Sequence, residues 1–226
     1  FNGAVDIGSS ANADVALNGP GNFTVNGAIF NTNTGVRGFT KNGAGTVTLV
    51  SDNTYNGATT VSGGGVLVLL GSNTFNGLNI TSGSVKIGKA SSLGSGVISN
   101  TSSSGLIGID SSVGTGNNWA LGNNIVAGST TNDFMAFNPG SGNSLTLNGV
   151  VSGAGWLKVS SGGDLYVNNV NNSYTGGTEV GTGRVIISDS RVLGAGIINF
   201  GTTTNSYLVA SSTVNVTNGI TIGSGT

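Results

Sequence analysis

The stretch NTYNGATTVSGGGVLVLL beginning at Asn53 returns as NTFNGLNITSGSVKIG from Asn73, and again as NSYTGGTEVGTGRVIIS from Asn172. Tyr55, Phe75 and Tyr174 hold one place in these copies, and Gly57, Gly77 and Gly176 hold another. A unit of about 20 residues is too short to enclose a core of its own, so it must bury its apolar side against the next copy. Such a chain is constrained to stack nearly identical units instead of closing around one cleft.

The local signals are β throughout. TVTLV (46–50), VLVLL (66–70), SVKIG (84–88), LTLNGVV (145–151), DLYVNNV (164–170) and RVIIS (184–188) alternate with period two and are rich in β-branched residues. No segment sustains a helical period beside capping residues, and the abundant glycine penalises helix. Asn-Gly pairs recur, for example at Asn42-Gly43, Asn56-Gly57, Asn76-Gly77 and Asn148-Gly149. Taken alone they suit tight antiparallel hairpins. They also suit any corner that needs a positive φ, and the regular period favours corners of a solenoid.

The fold expected is therefore all-β, a parallel β-helix of roughly 20-residue rungs running through 1–226 as one continuous segment. A rod of roughly 11 rungs at about 4.8 Å each would extend on the order of 50 Å. A longer period overlies the short one: FTVNGAI (23–29) matches LTLNGVV (145–151), and SLGSGVISN (92–100) matches VLGAGIINF (192–200). VDIGS (5–9), IVAGS (125–129) and ITIGS (220–224) fall at corresponding places. This divides the chain into two degenerate super-repeats, about 5–124 and 125–219, followed by the start of a third. Neither end reads as a polar cap, so flanking rungs of a longer chain, or end-to-end copies, are the expected partners. The opening Phe1 fits a processed product or an excerpt.

Facing follows from charge. Lys86 must point to water, so Val85 and Ile87 point inward, and the aligned copies place Val66, Val68, Val185 and Ile187 inward with them.

Composition excludes several functions. Charged residues are 7% of the chain and the net charge is -1, which gives nucleic acid no basic footprint and a membrane no polybasic patch. No apolar run approaches the length of a membrane span. Cysteine and histidine are absent, which removes disulfides, thiolate metal sites and the commonest general base. The carboxylates Asp6, Asp14, Asp52, Asp110, Asp133, Asp164, Glu179 and Asp189 are scattered, whereas glycoside hydrolysis needs two flanking one bond. No residue is assigned a catalytic, cofactor-binding or metal-ligating role. Thr46-Val47-Thr48 and Thr202-Thr203-Thr204 are too dispersed for an ice-binding face. The aromatics Tyr55, Phe75 and Tyr174 read as corner residues closing the core, with a carbohydrate-stacking platform as the other reading. Trp119 and Trp156 fall outside the repeat, and Trp119 is the better candidate for contact with a glycan.

The residues GFTKNGAGTVTLVSDNTYNGATTVSGGGVLVL (38–69) resemble the autotransporter-associated β-strand repeat. Thr40, Lys41, Gly43 and Gly45 match its Thr-Lys-x-Gly-x-Gly turn; Asn53, Thr54, Tyr55, Gly57, Thr60 and Val61 match the rest. A second copy at 150–187 has lost that turn but keeps YTGGTEV (174–180). The resemblance implies a right-handed passenger-type β-helix of a Gram-negative surface protein, exported across the outer membrane. It associates the chain with the stalk or shaft of an adhesin or fibre. With the scattered carboxylates and absent histidine, the expected role is non-catalytic, with no cofactor and with host or matrix glycans as candidate partners. The alternatives are a glycan-binding or glycan-cleaving β-helix and a self-assembling extracellular filament subunit.

Overall fold

The computed structural model describes residues 1–8, 14–110, 113–201 and 205–223. Thr202–Thr204 and the last residue of both VDIGS and ITIGS lie outside them. Two compact units are present, Phe1–Ser99 and Asn100–Thr226. Both are wound as parallel β-solenoids, about nine turns in all at roughly 22 residues per turn. The turn is slightly longer than the sequence period, because corner loops add residues the aligned motifs do not count.

In the first unit one sheet stacks Val15–Asn18, Phe39–Asn42, Thr59–Ser62 and Leu78–Ile80. A second stacks Phe23–Val25, Thr46–Leu49, Val66–Leu69 and Gly83–Ile87. The third side is narrow: Val5–Asp6 pairs with Ile29–Phe30, and single bridges join Phe30 to Thr54 and Asn53 to Asn73. In the second unit Gly105–Ile109, Phe134–Asn138, Trp156–Val159, Gly177–Val180, Ile198–Phe200 and Ile220–Ile222 form one sheet. Asn118–Leu121, Ser144–Leu147, Asp164–Val167, Gly183–Ile187 and Ser206–Ala210 form another. Ile125–Val126 and Val151–Ser152 make its short third side.

These pairings are all parallel, so the Asn-Gly pairs serve corners and not hairpins. At Gly43, φ is +124° and an added Cβ would collide with the carbonyl of Gly19 one rung away. Stacked corners therefore require glycine on top of glycine.

The core consists of ladders of like residues. Val47, Leu67 and Val85 align in one row, and Leu49, Leu69 and Ile87 in the next, each at most 2% exposed. In the second unit Leu145, Leu165 and Val185 align, as do Leu147, Val167 and Ile187, each at most 1% exposed. Each such side chain contributes about 1.5–3 kcal/mol through its burial. Val185 and Ile187 face inward as expected. Val66 and Val68 do not: Leu67 and Leu69 take the inner row, and Val68 stands outside between Thr48 and Lys86. VLVLL is apolar at every position, so its own alternation cannot fix which residues turn inward. The polar residues of the adjoining strands, Thr46, Thr48, Ser84 and Lys86, decide it, and a one-residue slip would reverse every side chain.

Buried polar groups are satisfied along the third side. The Asn53 Oδ1 accepts from the Ile29 N–H at 2.9 Å, while its Nδ2 donates to Asn73 Oδ1 at 2.8 Å. Asn73 Nδ2 in turn donates to the Ser92 carbonyl at 2.6 Å. Each rung's Asn thus closes the corner of its neighbour, which is why Asn recurs there.

Candidate functional site

The repeated aromatics are wholly inside: Tyr55, Phe75 and Tyr174 are 0% exposed. Phe39, Tyr55 and Phe75 form a column with ring centroids 6.3 and 5.7 Å apart. The phenol of Tyr55 meets Thr59 Oγ1 at 2.5 Å, and that of Tyr174 meets Thr178 Oγ1 at 2.7 Å. Phe75, which has no hydroxyl, precedes Leu78 where Thr59 stands in the rung beside it. These rings close the core, and none is available for stacking on a sugar.

Trp119 lies in register with Leu145, in the inward row of its sheet, and is partly buried. Trp156 faces outward, with Phe134 on one side and Gly177 on the other. Its indole N–H donates to the Thr131 carbonyl at 3.0 Å, and its six-membered ring occupies the space a side chain at Gly177 would need.

Lys41 departs most from the sequence reading. It belongs to the strand Phe39–Asn42 and not to the turn, and it lies in the inner row between Leu17 and Val61 at 1% exposure. Its ammonium donates to the Gly43 carbonyl and fills the space beside Gly65. Burial lowers its pKa from the ordinary lysine value.

Several carboxylates hold turns, whereas Glu179 and Asp164 pair across strands. Asp6 accepts from Thr32 Oγ1 at 2.6 Å and the Gly8 N–H at 2.8 Å. Asp14 accepts from the Gly38 N–H at 2.7 Å, and Asp52 from the Ser72 N–H at 2.7 Å. Asp133 binds the N–H groups of Thr130 and Ser129 at 2.8 and 2.9 Å. Asp110 is engaged as well. Glu179 pairs with Lys158 at 2.7 Å, and Asp189 with Arg191 at 2.6 Å. Hydrogen bonds lower the pKa of Asp6, chiefly from the Thr32 hydroxyl, and of Asp133, chiefly from the Thr130 N–H. The Ser72 N–H and then the Lys89 charge lower that of Asp52, and Arg191 holds Asp189 at about 2. Asp6, Asp52, Asp133 and Asp189 are thus held as anions, opposite to the raised pKa of a general acid. Among the described residues no three His, Cys, Asp or Glu side chains gather to hold a metal.

One surface of the second unit does bring unlike polar groups together. Asn118, Ser144, Asp164, Arg184 and Tyr207 are register partners on successive strands and form a single outward row. The row flanks a trough of about 560 Å³ that Gly142, Gly162, Gly163 and Gly183 also line. Arg184 grips Asp164 with two hydrogen bonds of 2.6 Å. Ser144 Oγ donates to Asn118 Oδ1 at 2.8 Å, and the Tyr207 hydroxyl donates to Asn205 Oδ1 at 3.3 Å. Tyr207 is 51% exposed.

The passenger-associated-transport-repeat family matches the chain at residues 39–66, 62–87 and 157–187. These are the segments whose strands, corner aromatics and third-side asparagines repeat in the structure, and they match the autotransporter-associated repeat resembled by 38–69. No curated protein and no solved structure matches the chain.

Proposed function

The chain carries a passenger-type repeat module, and from that premise we propose that it serves as a non-catalytic extracellular spacer, a stalk segment of a bacterial surface protein. One observation carries this reading: the repeated features of each rung serve to stack the next rung. Aromatics fill the core, asparagines close corners, and several carboxylates cap turns. Export through an outer membrane suits a chain that folds by adding short rungs to a template, because each rung needs only its neighbour. A surface wetted by Thr, Ser and Asn keeps it soluble without charge.

Flanking rungs of the same repeat type, as partners, fit the apolar rows left open in each unit. Val15, Leu17 and Phe23 line a trough of about 580 Å³ in the first. Ile220 and Ile222 are 59% and 79% exposed in the second.

The test is display. The chain is inserted between an epitope and an outer-membrane translocator in a Gram-negative host, and intact cells are probed with antibody. The expected result is an epitope accessible on intact cells at a level comparable to the translocator. An epitope detected only after lysis would contradict the proposal.

A further inference from the structure

We infer that the trough beside the row Asn118–Ser144–Asp164–Arg184–Tyr207 binds a neutral polysaccharide. This does not depend on the spacer reading, because a shaft can carry a side-on binding face.

Charge decides the class of ligand first. Asp164 and Arg184 neutralise each other through two hydrogen bonds of 2.6 Å, so the trough favours neither an anion nor a cation. The bidentate pair uses the guanidinium Nε and one Nη2 hydrogen. Nη1 and the remaining hydrogen stay free to donate, and the carboxylate keeps outer lone pairs that accept. A donor and an acceptor side by side fit two adjacent hydroxyls of a sugar ring. The amides of Asn118 and Asn205 add further groups of both kinds along the same wall. Tyr207 presents a half-exposed ring next to Arg184 in the row, which suits the apolar C–H face of a pyranose.

Shape then favours a polymer over a single sugar. The row crosses five strands, and at about 4.8 Å per rung it spans about 19 Å. The glycines that line the trough add no side chain to fill it. A protein partner fits poorly. The row runs across the sheet and meets an edge strand only at its two ends, Asn118 and Tyr207, so its face offers no strand along its length for backbone pairing. One exposed tyrosine among polar side chains is also too little apolar surface for a protein hot spot.

The inference moves the candidate glycan contact from Trp119 to a row that no single motif encodes. It is tested by affinity electrophoresis of the purified chain in gels cast with galactomannan, dextran, mannan or xyloglucan, with heparin and alginate as anionic controls. At least one neutral polymer should retard the protein, with neither anionic polymer doing so more strongly. Tyr207→Ala and Arg184→Gln should each weaken retardation at least tenfold, and Tyr207→Phe should retain most of it. The melting temperature of each variant is measured alongside, and little change is expected because both side chains are outside the core. The inference is overturned if no neutral polymer retards the protein, if an anionic polymer retards it more, or if the variants melt normally and are retarded like the parent. If Tyr207→Ala or Arg184→Gln unfolds, Asn118→Ala, at the other end of the row, replaces it, and undiminished retardation there counts equally against the inference.

Discussion

Leu67→Asp is expected to destabilise the first unit by about 4 kcal/mol or more, against about 1–2 kcal/mol for Val68→Asp one residue away. Leu67 is 0% exposed, stacked between Val47 and Val85. An aspartate there has no partner in an aliphatic ladder and must either stay unpaired or open the rung. Val68 is also well covered, at 8% exposed, but it stands on the outer face opposite Lys86. An aspartate at 68 loses some apolar contact and regains a cross-strand opposite charge worth about 0.2–1 kcal/mol. Urea unfolding midpoints of the two variants check this. Equal shifts, or a larger one for Val68→Asp, would reverse the inside and outside of the ladder.

The second large effect is alkaline. Burial pushes the Tyr55 and Tyr174 phenols well above their ordinary pKa of 10.0, and the hydrogen bonds to Thr59 and Thr178 only partly offset it. A pKa raised by folding means that stability is fully present below about pH 10 and is lost as pH climbs from there toward the folded value. Each tyrosine removes about 1.4 kcal/mol per pH unit across that window. Lys41 acts in the opposite sense. Its folded pKa is depressed below 10.5, so stability rises with pH between the depressed value and the ordinary one, then becomes flat. Above that point the tyrosine slope is unopposed. Urea unfolding between about pH 8 and pH 12 should therefore show a steep loss at the upper end. The paired changes Tyr55→Phe with Thr59→Val, and Tyr174→Phe with Thr178→Val, should flatten it. They remove the phenol and its hydroxyl partner together, as Phe75 and Leu78 do naturally. An unchanged slope in the variants would show that these phenols are not the groups being titrated.

The rung itself was legible because its signals are local and repeated: an aromatic before a glycine, an Asn two residues earlier, an alternating strand after. The coupling of Tyr55 to Thr59 and of Tyr174 to Thr178 emerged only from the structure, although its four-residue spacing lies in the sequence, and the Phe75 copy, which lacks it, is the natural control. Facing was legible wherever a polar residue broke the apolar run, as at Lys86, and illegible in VLVLL, where none does. Lys41 misled because charge ordinarily means exposure; a carbonyl acceptor and the empty space at Gly65 override that rule. The trough had no local signal. Asn118, Ser144, Asp164, Arg184 and Tyr207 come from five rungs with different sequences, and only the register brings them into one row.

That register is open to direct measurement, because the chain has no cysteine and an engineered pair reports without background. Parallel stacking makes Val68 and Lys86 register partners on the outer face and turns Ile87 into the core. The Cα separation of such partners, about 4.8 Å, lies within the range of about 4.4–6.8 Å that a disulfide spans. Mild oxidation followed by intact mass measurement should find Val68→Cys/Lys86→Cys fully cross-linked and Val68→Cys/Ile87→Cys still reduced. Cross-linking of the second pair with none in the first would contradict the stacking from which every other claim is built.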